Sequence, residues 1–278
     1  MSSWADGEMT GFDLETTGVD PFTERPVSFA LVRFEGDLVR GVEAHLVNPG
    51  VPIPAEATAV HGISDADVGP GSRAWRLDDT MAWIAGLLAG TSSRGTPIVG
   101  MNLAFDLTMV RECLRRADLL AAWIQPRYVV DLMVLDKHVD RYRKGSRTLS
   151  SLCEVYGVEL GEDAHDARAD VVASVRCLRA LAARYPEVGE MALGELTVHQ
   201  ATWNREQKES LSGYFESRGM AGLPPWSLEW PTYAERDPNY RTCRLCGCTD
   251  DYACVGGCSW ISADVCSSHV VALDGARL

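Results

Sequence analysis

Apolar and polar positions alternate with a period of two over three early segments, Thr10–Thr16, Val27–Phe34 and Val42–Val47. That period sends successive side chains to opposite faces and predicts strands. Short turns separate the three, so antiparallel pairing is expected. The pattern then changes. Within Ala74–Ala89, Trp75, Leu77, Met81, Ile84, Leu87 and Leu88 recur at helical spacing. Short apolar runs at Thr96–Gly100 and Tyr128–Val130 predict buried strands. Helices are expected over Ala104–Ala117, Leu132–Val139, Leu149–Tyr156 and Asp166–Ala183. In the last of these, Val171, Val172, Val175, Leu178 and Leu181 form one apolar stripe. Antiparallel strands followed by alternating strands and helices predict an α/β fold, a mixed sheet covered by helices.

Beyond Tyr185 the pattern loosens. One helix or two are expected within Val198–Arg218. The proline-rich Leu223–Pro231 is expected to be extended, because proline removes a backbone donor and blocks helix. Trp203, Trp226 and Trp230 fall in this stretch. They read as a strap packed on the preceding domain, or as a platform that stacks bases or meets a partner protein. The predicted organisation is therefore a large domain over residues 1–185, a Trp- and Pro-rich connection over 186–240 and a Cys-rich module over 241–278.

The chain has 278 residues, 46% of them hydrophobic and 23% charged, the make-up of an ordinary globular protein. Its net charge of −13 argues against a protein that coats nucleic acid by general electrostatics, but leaves room for an acidic site that holds divalent metal. No apolar run approaches the roughly 18 residues that a membrane span needs. Met1–Glu8 is polar and lacks the form of a signal peptide. A cytoplasmic protein without membrane contact is expected. Cys113, Cys153 and Cys177 sit in patterned apolar segments and read as core; the other six of the nine cysteines crowd between Cys243 and Cys266.

Asp13 and Glu15 lie at i and i+2 on the first predicted strand, so both carboxylates share one face. Two acids flanked by Phe12 and Leu14 repel and are costly to desolvate unless a cation compensates. A hard divalent ion does so. Asp106 opens a predicted helix whose cap is expected to be Asn102, and the helix dipole favours an acid there. His165 lies five residues before Asp170, which falls one turn inside the next amphipathic helix, with Asp166 as its expected cap.

Three motifs in this order, Phe12-Asp-Leu-Glu-Thr-Thr-Gly18, Asn102-Leu-Ala-Phe-Asp106 and His165-Asp-Ala-Arg-Ala-Asp170, resemble those of the DEDDh family of 3′–5′ exonucleases, which includes polymerase proofreading subunits and ribonuclease T. Lesser similarities lie at Val60–Val68 and Thr148–Gly157. Met101 departs from the pattern, since relatives often carry histidine there. The resemblance spans about Met9 to Tyr185. It implies a ribonuclease H-like fold and two-metal hydrolysis of phosphodiesters from the 3′ end, with two Mg²⁺ or Mn²⁺ ions. By the same resemblance Asp13 contacts both ions, Glu15 and Asp170 complete the site of the nucleophile-activating ion, Asp106 supports the second ion, and His165 is the general base. Thr16, His61, Phe105 and Asn102 are the implied contacts of the terminal nucleotide. Single-stranded 3′ ends are the implied substrate, and a DNA polymerase or other replication protein is an implied partner. Proofreading or repair of DNA is the leading expectation. Ribonuclease T-like trimming of RNA, and a non-catalytic binding or assembly protein on the same fold, are the alternatives.

Lys137, Arg141, Arg143, Lys144 and Arg147 form a basic run that reads as a phosphate track or as a solvated loop. In the Cys-rich module, Cys243-x2-Cys246 and Cys266-x2-His269 are separated by nineteen residues, a zinc-ribbon-like spacing that predicts one structural zinc. Cys248, Cys254 and Cys258 lie between them and leave open a second zinc with a bridging cysteine, or an iron–sulfur cluster.

Overall fold

The structure, a computed structural model, describes residues 3–159, 167–236, 258–260 and 267. The chain divides into two compact units, Met1–Gln200 and Ala201–Leu278.

In the first unit the chain runs β1 (Glu8–Thr16), β2 (Pro26–Glu35), β3 (Leu38–Asn48), α1 (Ala55–His61), α2 (Asp65–Val68), β4 (Trp75–Arg76), α3 (Leu77–Ser93), β5 (Ile98–Gly100), α4 (Leu103–Arg116), β6 (Val129–Asp131), α5 (Leu132–Val139), α6 (Leu149–Tyr156), α7 (Ala167–Arg184) and α8 (Pro186–Gly189). A last helix, α9, spans Leu193–Ser217. One sheet has the order β4-β3-β2-β1-β5-β6. β1, β2 and β3 pair antiparallel, as the short turns between them predict, and β5 and β6 add parallel to β1. This is the expected mixed α/β sheet.

The two faces of β1 have different tasks. Phe12 and Leu14 are buried on one side. On the other side lie Gly11, Asp13 and Glu15, and there α7 packs. Its apolar stripe approaches so closely that a Cβ on Gly11 would stand 2.4 Å from Val171 Cγ1. The glycine thus brings α7 down onto the strand beside the two acids. A second close approach lies at Gly100, where a Cβ would stand 2.6 Å from the Phe12 carbonyl oxygen and 2.9 Å from Leu103 Cδ2. It lets β5 turn into α4 directly against β1.

Two elements depart from the sequence pattern. The helix expected from Ala74 begins at Leu77, because Trp75 and Arg76 pair with Val47 and Asn48 as a parallel edge strand. Leu223–Pro231 is not wholly extended. Pro225–Leu228 forms a 3-10 turn with Pro225 at its first position, where the missing N–H costs no hydrogen bond. Within the second unit Asn204 Nδ2 donates to the Leu228 carbonyl at 3.0 Å, and Trp226 packs against Tyr233 with ring centroids 5.4 Å apart. Among the described residues, no helix is long and apolar enough to cross a membrane.

Candidate metal centre and active site

Register places Asp13 opposite Ala30 and Glu15 opposite Ser28. The first turn of α7 adds Asp170 from above. One carboxylate oxygen from each of Asp13, Glu15 and Asp170 lies within 4.8 Å of the others. Burial pushes the Asp13 carboxyl well above its ordinary range, and the negative charges of Asp106, Glu15 and Asp170 push it further.

Asp106 arrives from the other side of the strand. β5 ends at Gly100, having paired with β1 at Thr10 and Gly11. Beyond it the Leu14 amide faces α4, and Asp106 Oδ1 accepts that N–H at 3.1 Å. Burial raises the Asp106 carboxyl well above its ordinary range; the amides of Asp106 and Leu14 oppose the rise, and Asp131 and Glu15 add to it. Four acids thus gather from β1, α4 and α7, and Asp106, Glu15 and Asp170 each press a negative charge on Asp13. Oxygen donors crowded in this way fit hard divalent cations, whose charge would relieve both the repulsion and the desolvation cost.

The residues around the acids take varied positions. Asn102 is exposed at the start of α4 in the left-handed region (φ 60°, ψ 37°), and its side chain makes no capping bond. The expected cap comes instead from Asp131, at the end of β6. Its Oδ1 accepts from Asn102 N at 3.0 Å and its Oδ2 from Leu103 N at 2.9 Å. Asp131 was not among the expected site residues, although an acid directly before a helical run is a capping signal. Phe105 is half-buried on α4. The Thr16 hydroxyl donates to the Gly18 carbonyl at 2.7 Å.

His61 ends α1. Its Nδ1 accepts from Ile63 N at 3.1 Å, which leaves the neutral ring's proton on Nε2. Burial lowers its pKa, and the Thr16 carbonyl opposes that shift. With Ser28, Leu46, Ile63 and Arg168, His61 lines a cavity of about 350 Å³. Ser28 is the strand partner of Glu15, which ties one wall of this cavity to the strand that carries the acids.

His165 and Asp166 lie outside the described residues, as do Cys243, Cys246, Cys266 and His269. In the basic run, Arg143 Nη2 and Arg147 Nε meet Asp136 Oδ2 at 2.6 and 2.8 Å. These two arginines hold the fold from within.

A ribonuclease H-like sheet with acids gathered on its central strand is a nuclease-class architecture, and the comparisons agree. Residues 10–178 match the exonuclease family, and the chain belongs to it. It is 36% identical over 181 residues to a DNA polymerase III subunit epsilon-like protein of Rhodobacter capsulatus, a match over 62% of this chain. This chain spans only 24% of that relative's length. It is also similar to E. coli Exonuclease I crystallised with a dT13 oligonucleotide, with 25% identity and a TM-score of 0.55 over 66% of this chain and 43% of that one.

Proposed function

We propose that the chain is a metal-dependent 3′–5′ exonuclease of the DEDDh type that removes nucleotides from single-stranded DNA 3′ ends. The observation that carries this reading is the convergence of Asp13, Glu15 and Asp170, with Asp106 reaching β1 from α4. The similarity to an epsilon-like protein and to an exonuclease bound to dT13 favours DNA over RNA, and the former favours a polymerase partner.

Two Mg²⁺ or Mn²⁺ ions at such a site would stabilise the attacking and leaving oxygens of an in-line displacement. Asp13, Glu15 and Asp170 would hold one, and Asp13 with Asp106 the other. His165 would take the proton of the attacking water. The backbone around Thr16, with His61, Phe105 and Asn102, would position the terminal nucleotide. Glu15 and Asp170 sit on different elements, so the packing of α7 against β1 is what brings them together.

The division at 185 and 240, and one structural zinc on Cys243, Cys246, Cys266 and His269, complete the proposal. The spacing of two residues within each pair supports the zinc. Elemental analysis of protein purified without added metal reads it: one zinc per chain, lost in Cys243→Ser, is expected, and two zincs or iron with sulfide overturn it.

The activity is tested with 5′-labelled single strands of DNA and RNA. Shortening of DNA from the 3′ end, dependent on Mg²⁺ or Mn²⁺, is expected. Asp13→Ala and Asp170→Asn should leave less than about 1% of the rate. Preference for RNA favours the trimming alternative. Intact strands of both kinds, bound but uncut, favour the non-catalytic one.

A further inference from the structure

Asp131 is 1% exposed and belongs to none of the motifs that carry the resemblance. Its carboxylate nevertheless serves two helix starts at once. Oδ1 accepts from Met133 N at 2.9 Å, at the head of α5, and from Asn102 N at 3.0 Å; Oδ2 accepts from Leu103 N at 2.9 Å. The Asp131 amide donates to Gln200 Oε1 at 2.8 Å, and Gln200 Nε2 returns a bond to the Val129 carbonyl at 2.9 Å. Gln200 is fully buried. The end of β6 is therefore fixed from behind while its carboxylate faces forward.

The turn it grips is unusual. Asn102 sits in the left-handed region, which Asn enters more readily than most non-glycine residues and which still needs surroundings that hold it. The first amides of a helix also need acceptors. The Asn102 side chain supplies none. Asp131 supplies both, across a separation of 29 residues. Asp106 follows Asn102 by four residues, about one helical turn. Whatever fixes the start of α4 therefore fixes where the Asp106 carboxylate meets the Leu14 amide.

We propose that Asp131 is a positioning residue that acts through the first turn of α4: it sets the place of Asp106, and with it the hold on the second divalent ion. This rests on the reading of Asp106 as support for an ion, and the test separates the two. Mn²⁺ binding to the full-length chain is followed by electron paramagnetic resonance, for wild type, Asp106→Asn, Asp131→Asn and Asp131→Ser. Asparagine turns an N–H₂ toward an amide donor. Serine remains a good cap for α5, but is too short to bridge to both α4 amides, so it removes only the link to α4.

Wild type is expected to bind two ions and Asp106→Asn one. Both Asp131 variants should keep the tighter ion unchanged and weaken the other by about 10–100-fold, the usual cost of removing a group that orients a metal ligand. The Mn²⁺ concentration for half-maximal cleavage should rise by the same factor, with the maximal rate recovered at saturation. If Asp106→Asn loses an ion and a folded Asp131→Ser does not weaken it, the positioning role is wrong. Equal weakening of both ions also overturns it, since that is what general loosening of the fold would do. If Asp106→Asn binds as many ions as wild type, the reading of Asp106 fails instead.

Discussion

Asp13 is half-buried and Asp136 fully buried, and the two are surrounded in opposite ways. Asp136 lies on α5. Arg143 and Arg147 reach its Oδ2, and the Tyr156 hydroxyl donates to its Oδ1 at 2.9 Å. Burial and the neighbouring Asp136 push the Tyr156 hydroxyl far up, so it stays a proton donor. Asp13, on β1, meets Asp106, Glu15 and Asp170, and each raises its pKa. Among the described residues, arginines close on one acid and three further acids crowd the other. A buried acid that is internally neutralised organises a fold. One crowded by its own kind is built for a cation from outside.

The largest effect that tests this contrast is at Asp136. Asp136→Ala would strip two largely buried guanidinium groups, Arg143 14% and Arg147 17% exposed, of their nearest carboxylate, leaving Arg143 only Asp140 at 3.7 Å. Removing one partner of a buried ion pair costs about 3–5 kcal/mol. Urea unfolding of the full chain should show a loss of that size. A loss below about 1 kcal/mol would place this cluster among ordinary surface pairs and dissolve the contrast.

How far these two clusters could be read from the sequence differs for physical reasons. The period-two strands and the short helical segments are local, and Leu132–Val139 and Leu149–Tyr156 form as the pattern predicts, residue for residue. The pairing of Asp13 with Glu15 is also local, a matter of strand geometry. Their meeting with Asp170 joins positions more than 150 residues apart, and only the family resemblance suggested it. The ties at Asp136 and Asp131 had no such guide. Nothing in the basic run distinguishes an arginine that points at solvent from one that turns back onto the preceding helix. The Asn102 side chain looks like a cap because caps are usually local, whereas the acceptor comes from the next strand. β4 is two residues long and carries no period at all.

The smaller effect lies at Asp13, and its sign should be reversed. Asn has nearly the shape of Asp without its charge. In the metal-free chain the substitution removes an acid that burial and three neighbours all oppose. Asp13→Asn should therefore raise metal-free stability, by on the order of 1 kcal/mol, the usual gain when a residue kept for function is replaced by one suited to the fold. The same change removes the best-placed cation ligand. Wild type in Mn²⁺ at about 100 times its dissociation constant should gain about 2.7 kcal/mol, and the variant markedly less. Unfolding curves with chelator and with Mn²⁺, for both proteins, give all four values. A variant more stable than wild type in chelator and less stable in Mn²⁺ shows a site strained until a cation fills it. A variant less stable in chelator would mean that hydrogen bonds within the protein satisfy Asp13 as thoroughly as arginines satisfy Asp136, and the two acids would no longer differ in kind.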